Sequence, residues 1–195
     1  MQEITQLSQL DLNKSYTYAD YLLWKFSERV ELIKGKVFEM SPAPSRKHQE
    51  VSHKINRYFD RYFEKNNCSL YYAPFDVRLY KKNRNDELVE TVVQPDLCVV
   101  CDLFKLDDKG CIGSPDLIVE ILSPNSTKHD LNTKFNLYEE NEVKEYWIVH
   151  PFDETISIYT LQNGKYIGLK PKVVGEVIES VIFPKLNFEV GLVFE

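Results

Sequence analysis

The sequence predicts a mixed α/β fold, and three observations carry that reading. Gln94-Pro95-Asp96-Leu97-Cys98-Val99-Val100 and Pro115-Asp116-Leu117-Ile118-Val119-Glu120-Ile121-Leu122 are short, nearly continuous apolar runs, the pattern of strands covered on both faces. Val51, Ile55, Tyr58, Phe59, Tyr62 and Phe63 recur at the spacing of a single apolar helix face. After residue 45 the elements run helix, three strands, helix, strand and an appended hairpin, the order of a mixed sheet flanked by helices.

Residues 1–15 are polar and read as loose. A short helix is predicted over 18–24 with Thr17 as its cap, then a hairpin over 29–39 turning near Lys34-Gly35. Ser41-Pro42-Ala43-Pro44 is a rigid connection, and Ser45 caps the amphipathic helix, which ends near Asn66-Asn67. Strands follow at about 70–80, 95–101 and 115–122, with a polar loop over 81–87. A second helix over 129–140 places Leu131, Phe135 and Tyr138 on one face. A strand over 145–150 ends at Pro151, and Asn163-Gly164 turns a hairpin between 155–160 and 165–169. The tail from 173 alternates and adds one or two short strands.

The 195 residues are 43% hydrophobic, enough for one domain with a real core. No apolar run approaches the roughly 18–20 residues of a membrane span, and the N-terminus has no signal-peptide pattern, so a soluble, cytoplasmic protein is expected. The net charge of −6 argues weakly against a general nucleic-acid binder, since local patches decide such binding. Cys98-x-x-Cys101 has the spacing of a zinc pair, but positions three apart on a strand face opposite ways, and no second pair completes a site. The four cysteines are expected as reduced, mostly buried thiols.

Glu120 interrupts an apolar strand, where an ionised carboxylate needs neutralisation, a partner or a metal. Asp96 opens the neighbouring run, and two carboxylates on adjacent strands can share a divalent cation. Each has a plainer reading: Asp96 as a turn residue, Glu120 as the partner of an internal Lys or Arg. Lys54, Arg57, Arg61 and Lys65 form a basic stripe on the first long helix, read as a solvated face before a phosphate track. Tyr146-Trp147 reads as core before a base-stacking platform.

In order along the chain stand Tyr18-Ala19-Asp20-Tyr21, Val30-Glu31-Leu32-Ile33-Lys34-Gly35, His48, Gln94-Pro95-Asp96, Asp116-Leu117-Ile118-Val119-Glu120-Ile121-Leu122-Ser123-Pro124, Asp130 with Lys134 and Tyr138, and Glu145-Tyr146-Trp147. This series resembles the Uma family of restriction-endonuclease-like proteins within the PD-(D/E)XK nuclease superfamily. The resemblance implies a restriction-endonuclease-like α/β core with an added N-terminal hairpin and a C-terminal hairpin, over residues 1–195. It implies a Mg2+- or Mn2+-dependent endonuclease cutting DNA, a homodimer being compatible with cutting both strands. Asp96 and Glu120 would hold the metal, with the Ile121 carbonyl completing the protein share. The superfamily's lysine two residues after the glutamate is here Leu122, and the resemblance places it instead at Lys134, one helical turn from both Asp130 and Tyr138. Glu31 would be a third carboxylate, ahead of Glu28 and Glu39, and His48 would contact the scissile phosphate or relay a proton. The plainer readings are a surface Asp130–Lys134 pair, an exposed hairpin glutamate and a capping or exposed histidine. Two rival functions stay open: a nuclease-fold module that binds nucleic acid or protein without turnover, and a purely structural ion pair at Glu120.

Overall fold

The computed structural model describes residues 3–40, 43–80, 84–123 and 128–195, the side chains of 128–130 excepted. In chain order the elements are α1 (Tyr18–Tyr21), β1 (Val30–Ile33), β2 (Lys36–Glu39), α2 (Arg46–Phe63), β3 (Ser69–Tyr72), β4 (Val77–Leu79), β5 (Thr91–Val93), β6 (Leu97–Val100), β7 (Leu106–Asp107), β8 (Gly110–Ile112) and β9 (Leu117–Ile121). They continue with α3 (Lys128–Glu140), β10 (Glu145–His150), β11 (Thr155–Gln162), β12 (Lys165–Gly168), β13 (Lys172–Val173), β14 (Val177–Glu179) and β15 (Asn187–Glu189).

The expected mixed α/β character holds, distributed over two large sheets. One runs β12-β11-β10-β9-β6-β3, with β13 also on β11; the other runs β2-β1-β5-β4-β8-β7. Only β9–β10 and β4–β8 are parallel among these described pairs. The first sheet is buried on both faces, as its continuous apolar strands require. Val51, Ile55 and Phe59 of α2 pack with Val119, Trp147 and Phe188 on one face. Ile118 and Tyr146 pack on the other with Leu137 and Tyr138 of α3 and with Val77 and Leu79 of β4.

The stretch read as one strand over 70–80 is broken into β3 and β4, which join different sheets. Pro74 lies at the break and has no N–H to continue a ladder. The two expected hairpin turns form with left-handed residues at Lys34-Gly35 (φ 52° and 78°) and Asn163-Gly164 (φ 51° and 76°). Thr17 caps α1 with a reciprocal bond from Asp20, and Ser45 caps α2, accepting from the His48 N–H. Residues 3–15, read as loose, are tied down: Leu10 is buried, Lys25 N–H donates to the Ile4 carbonyl, and Lys36 donates to the carbonyls of Asn13 and Lys14. The connection at Ser41-Pro42 and the loop at 81–83 lie outside the described residues.

The cysteine expectation needs correction. Cys98 and Cys111 are free and buried, but Cys68 and Cys101 form a disulfide. The antiparallel register pairs Ser69 with Val100, so the next positions outward, Cys68 and Cys101, face each other. Sequence spacing could not show that register. Cys98 and Cys101 do pack into opposite cores, which removes the zinc pair. Among the described residues no helix is long and apolar enough to cross a membrane.

Candidate active site

The β6–β9 ladder pairs Leu97 with Val119 and Cys98 with Ile118. Extending that register by one step sets Asp96 opposite Glu120, where cross-strand Cβ atoms lie about 4.5–5.5 Å apart. Asp96 precedes β6, so its carboxylate is free to turn: Oδ2 accepts the Ile121 N–H at 2.7 Å and lies 3.3 Å from His48 Nε2. Glu120 alternates with Val119 and shares its face with Ile118, the side covered by α3.

From α3, Lys134 and Tyr138 project one turn apart onto Glu120. Lys134 Nζ donates to Glu120 Oε1 at 2.9 Å, and the Tyr138 hydroxyl donates to the same oxygen at 2.6 Å. Lys134 also donates to Glu31 Oε1 at 3.1 Å, so this α3 side chain links Glu120 of the first sheet to the β1–β2 hairpin of the other. Glu31 Oε1 accepts in addition the Gln94 N–H at 2.8 Å. The five side chains predicted from sequence, Glu31, His48, Asp96, Glu120 and Lys134, therefore line one cleft of about 690 Å3. Glu31 is 5% exposed, not the open hairpin residue of its plainer reading. His48 both receives a cap at its backbone and buries its ring; the reading as an exposed histidine fails. Glu39 also borders the cleft. The Asp130 side chain lies outside the described residues. The α2 basic stripe lies elsewhere: Arg57 and Arg61 border a separate groove beside Cys68.

Charge is out of balance here. Three carboxylates meet one ammonium, beside an imidazole that carries charge only when protonated. The Glu120 carboxyl is pushed up to about 7, by burial first and by the charges of Asp96 and Glu31, against the pull of Lys134 and the Tyr138 hydroxyl. Burial works against the Lys134 ammonium, but Glu120 and Glu31 outweigh it and hold its pKa above the usual lysine range. Burial likewise disfavours charged His48, yet its contact with Asp96 leaves the pKa raised. His48 Nδ1 is buried and has no hydrogen-bond partner among the described residues.

Sequence reasoning assigned no role to three residues that complete this arrangement. Tyr138 stood in the motif, and its spacing from Lys134 was the available signal. Gln94 carries more than its backbone: Nε2 donates to Asp76 Oδ1 at 2.8 Å, and Oε1 accepts from Arg29 Nη2 at 2.6 Å. Asp76 is in turn held by the Tyr18 hydroxyl at 2.9 Å. Nothing local marked Arg29.

Comparison with known proteins agrees with the sequence resemblance. The pattern of the Uma2 family, described as "Putative restriction endonuclease", matches residues 18–191. The chain belongs to the Uma2 family. An uncharacterized protein of Synechocystis sp. is 24% identical over 143 residues, 72% of this chain and 71% of its own length. The crystal structure of "a putative nuclease belonging to DUF820" from Anabaena variabilis superposes with a TM-score of 0.68 at 18% identity, covering 92% of this chain and 97% of that one. At that identity the match speaks for the Uma2 chain's fold.

Proposed function

We propose that this Uma2 protein is a metal-dependent endonuclease that hydrolyses phosphodiester bonds in DNA, built on a restriction-endonuclease-like core. The observation that carries the reading is the facing pair Asp96 and Glu120 in a cleft whose acids exceed its bases. The order of two helices and four strands of the larger sheet, α2, β3, β6, β9, α3, β10, supports that reading, since the superfamily core is expected to run helix, three strands, helix, strand.

Among the described residues no three His, Cys, Asp or Glu side chains form a ready cage for a metal. Magnesium does not need one, since it keeps several waters and takes one or two carboxylates. Asp96, Glu120 and the Ile121 carbonyl are hard oxygen donors of the kind Mg2+ or Mn2+ prefers. They would hold the ion, which when bound supplies Lewis-acid polarisation of the phosphoryl oxygen and an acidified water.

The chain's own groups act around that centre. Lys134, fixed between Glu31 and Glu120, places a positive charge where negative charge grows on the phosphoryl oxygens. Glu31 orients Lys134 and is itself oriented by the Gln94 N–H. Tyr138 holds Glu120 in one rotamer through its short hydroxyl contact. His48, kept protonated more readily by Asp96, donates toward a phosphate oxygen or the leaving group.

The second reading, a module without turnover, rests on one observation: Lys134 is already engaged by two carboxylates, and Leu122 stands where the superfamily's lysine does. A nuclease assay separates the two. Cleavage of single-stranded or duplex DNA in Mn2+, absent in EDTA and absent for Asp96→Ala, supports the enzyme. Metal binding without cleavage of any DNA would favour the module.

A further inference from the structure

The buried site raises a question of access, and two rim residues answer it. Glu120 and Lys134 side chains are only 12% and 18% exposed, so a scissile phosphate must enter the cleft to meet them. A volume of about 690 Å3 lies in the range of pockets for small molecules, the scale of a nucleotide. Two rim side chains flank the segment 94–96 that carries Asp96.

Arg29 stands on one side. It precedes β1 and alternates onto the same face as Glu31. Its guanidinium donates through Nε at 3.2 Å and Nη2 at 2.6 Å to the same Gln94 amide oxygen. That partner is neutral, so Arg29 is positioned without being neutralised. By contrast Lys134 is paired with two acids, and Lys34 and Lys47 are paired with Glu140 and Glu154.

Tyr72 stands on the other side. The register pairs it with Leu97, the residue after Asp96, and the Ala73 N–H donates to the Asp96 carbonyl. Its neighbour Tyr71 is stacked on Phe75 with centroids 4.1 Å apart, whereas Tyr72 borders the cleft with 61% of its surface exposed. No ring packs against it among the described residues. An exposed aromatic and an exposed guanidinium lining one cleft are the two groups that grip an unpaired nucleotide: the ring stacks on the base, the guanidinium takes the phosphate.

We propose that Tyr72 and Arg29 form a nucleotide grip that feeds single-stranded DNA, not intact duplex, into the cleft. The inference rests on the endonuclease reading for its purpose but not for its test. Fluorescence anisotropy of a short labelled oligodeoxynucleotide, alone and as its blunt duplex, in Ca2+, measures binding without requiring turnover. The wild type should bind the single strand more tightly than the duplex. Tyr72→Ala should weaken single-strand binding by roughly 5- to 100-fold, and Tyr72→Trp should retain it. Arg29→Ala should lower the slope of log affinity against log salt by about 0.7, the loss of one phosphate contact on a single strand. Both side chains are exposed, and circular dichroism checks that the variants fold. Duplex bound as tightly as single strand, wild-type affinity in Tyr72→Ala, or no binding of either DNA would overturn the grip. Single-strand binding that responds as stated, without cleavage in Mn2+, would keep the grip and remove the nuclease. Duplex cleavage by Tyr72→Ala at the wild-type rate would keep the nuclease and remove the grip.

Discussion

Glu120 and Glu145 are glutamates on neighbouring parallel strands, the first mostly and the second fully buried, and they are held in opposite ways. Glu145 is fully buried, and its two oxygens accept from Trp147 Nε1–H at 2.6 Å and from the Val181 and Ile182 N–H groups at 2.9 Å. All three donors are neutral and fixed, two of them in the loop that joins β14 to β15. Glu120 instead meets Lys134 and Tyr138 on one oxygen, with Asp96 and Glu31 near enough to raise its pKa. Burial is common to both. What separates them is that Glu145 is satisfied by dipoles away from the cleft, while Glu120 belongs to a cluster with excess negative charge inside it. Buried carboxylates mark a site only where such an excess remains.

The largest expected effect breaks the structural member of the pair. Glu145→Ala leaves one buried donor, Trp147 Nε1–H, and two part-buried N–H groups without their acceptor, the buried one alone costing about 1–3 kcal/mol. Urea denaturation should show a loss of about 3 kcal/mol, read as a lower midpoint with an unchanged slope. A near-neutral Glu145→Ala would mean that these donors find other partners.

Next in size is Lys134→Ala. Its folded state should persist, because Glu120 can take up a proton when the ammonium is gone. Cleavage should fall by about 10²–10³ in kcat, the usual cost of one lost electrostatic stabiliser, with Mn2+ affinity held within a few-fold. Unchanged activity would remove Lys134 from the mechanism. Leu122→Lys restores the superfamily's placement and, if the packed position beside the cleft admits it, should recover part of the loss.

Smaller still is the stability effect of Glu120→Gln. The Glu120 carboxyl is raised from 4.5 to about 7 in the folded protein, so between those values the native state binds more protons than the unfolded chain. Stability of the metal-free protein should therefore fall as pH rises from about 4.5 to about 7. His48, also raised, adds stability that is present at lower pH and lost as pH climbs through its folded pKa. Melting curves across this window should show the decline in the wild type and a flatter profile in Glu120→Gln. A steeper decline in the variant, or a marked loss of stability at pH 8, would indicate a structural ion pair at Glu120.

Much of this contrast was legible before the fold. Asp96 and Glu120 could be read because the apolar runs reveal which residues are out of place, while Lys134, Glu31 and His48 were legible through the family resemblance, helix spacing only allowing Lys134 its place one turn from Tyr138. Glu145 could not be told from an ordinary strand-opening residue, because its donors at 181–182 come from a distant hairpin. The Cys68–Cys101 bond and the Asp96–Glu120 juxtaposition both depend on strand register, which packing decides and local sequence does not. Arg29 was silent for the same reason: its importance lies in a contact 65 residues away with Gln94. The break at Pro74 was visible as a residue but not as a change of sheet.

The claim that the excess charge at Asp96 and Glu120 exists to hold a divalent cation is tested most directly by calorimetric titration with Mn2+. The wild type should bind one ion, Glu145→Gln should bind it equally wherever it is folded, and Asp96→Ala and Glu120→Gln should not bind it. A wild type that takes up no Mn2+, or an Asp96→Ala protein that binds it as the wild type does, would contradict the account.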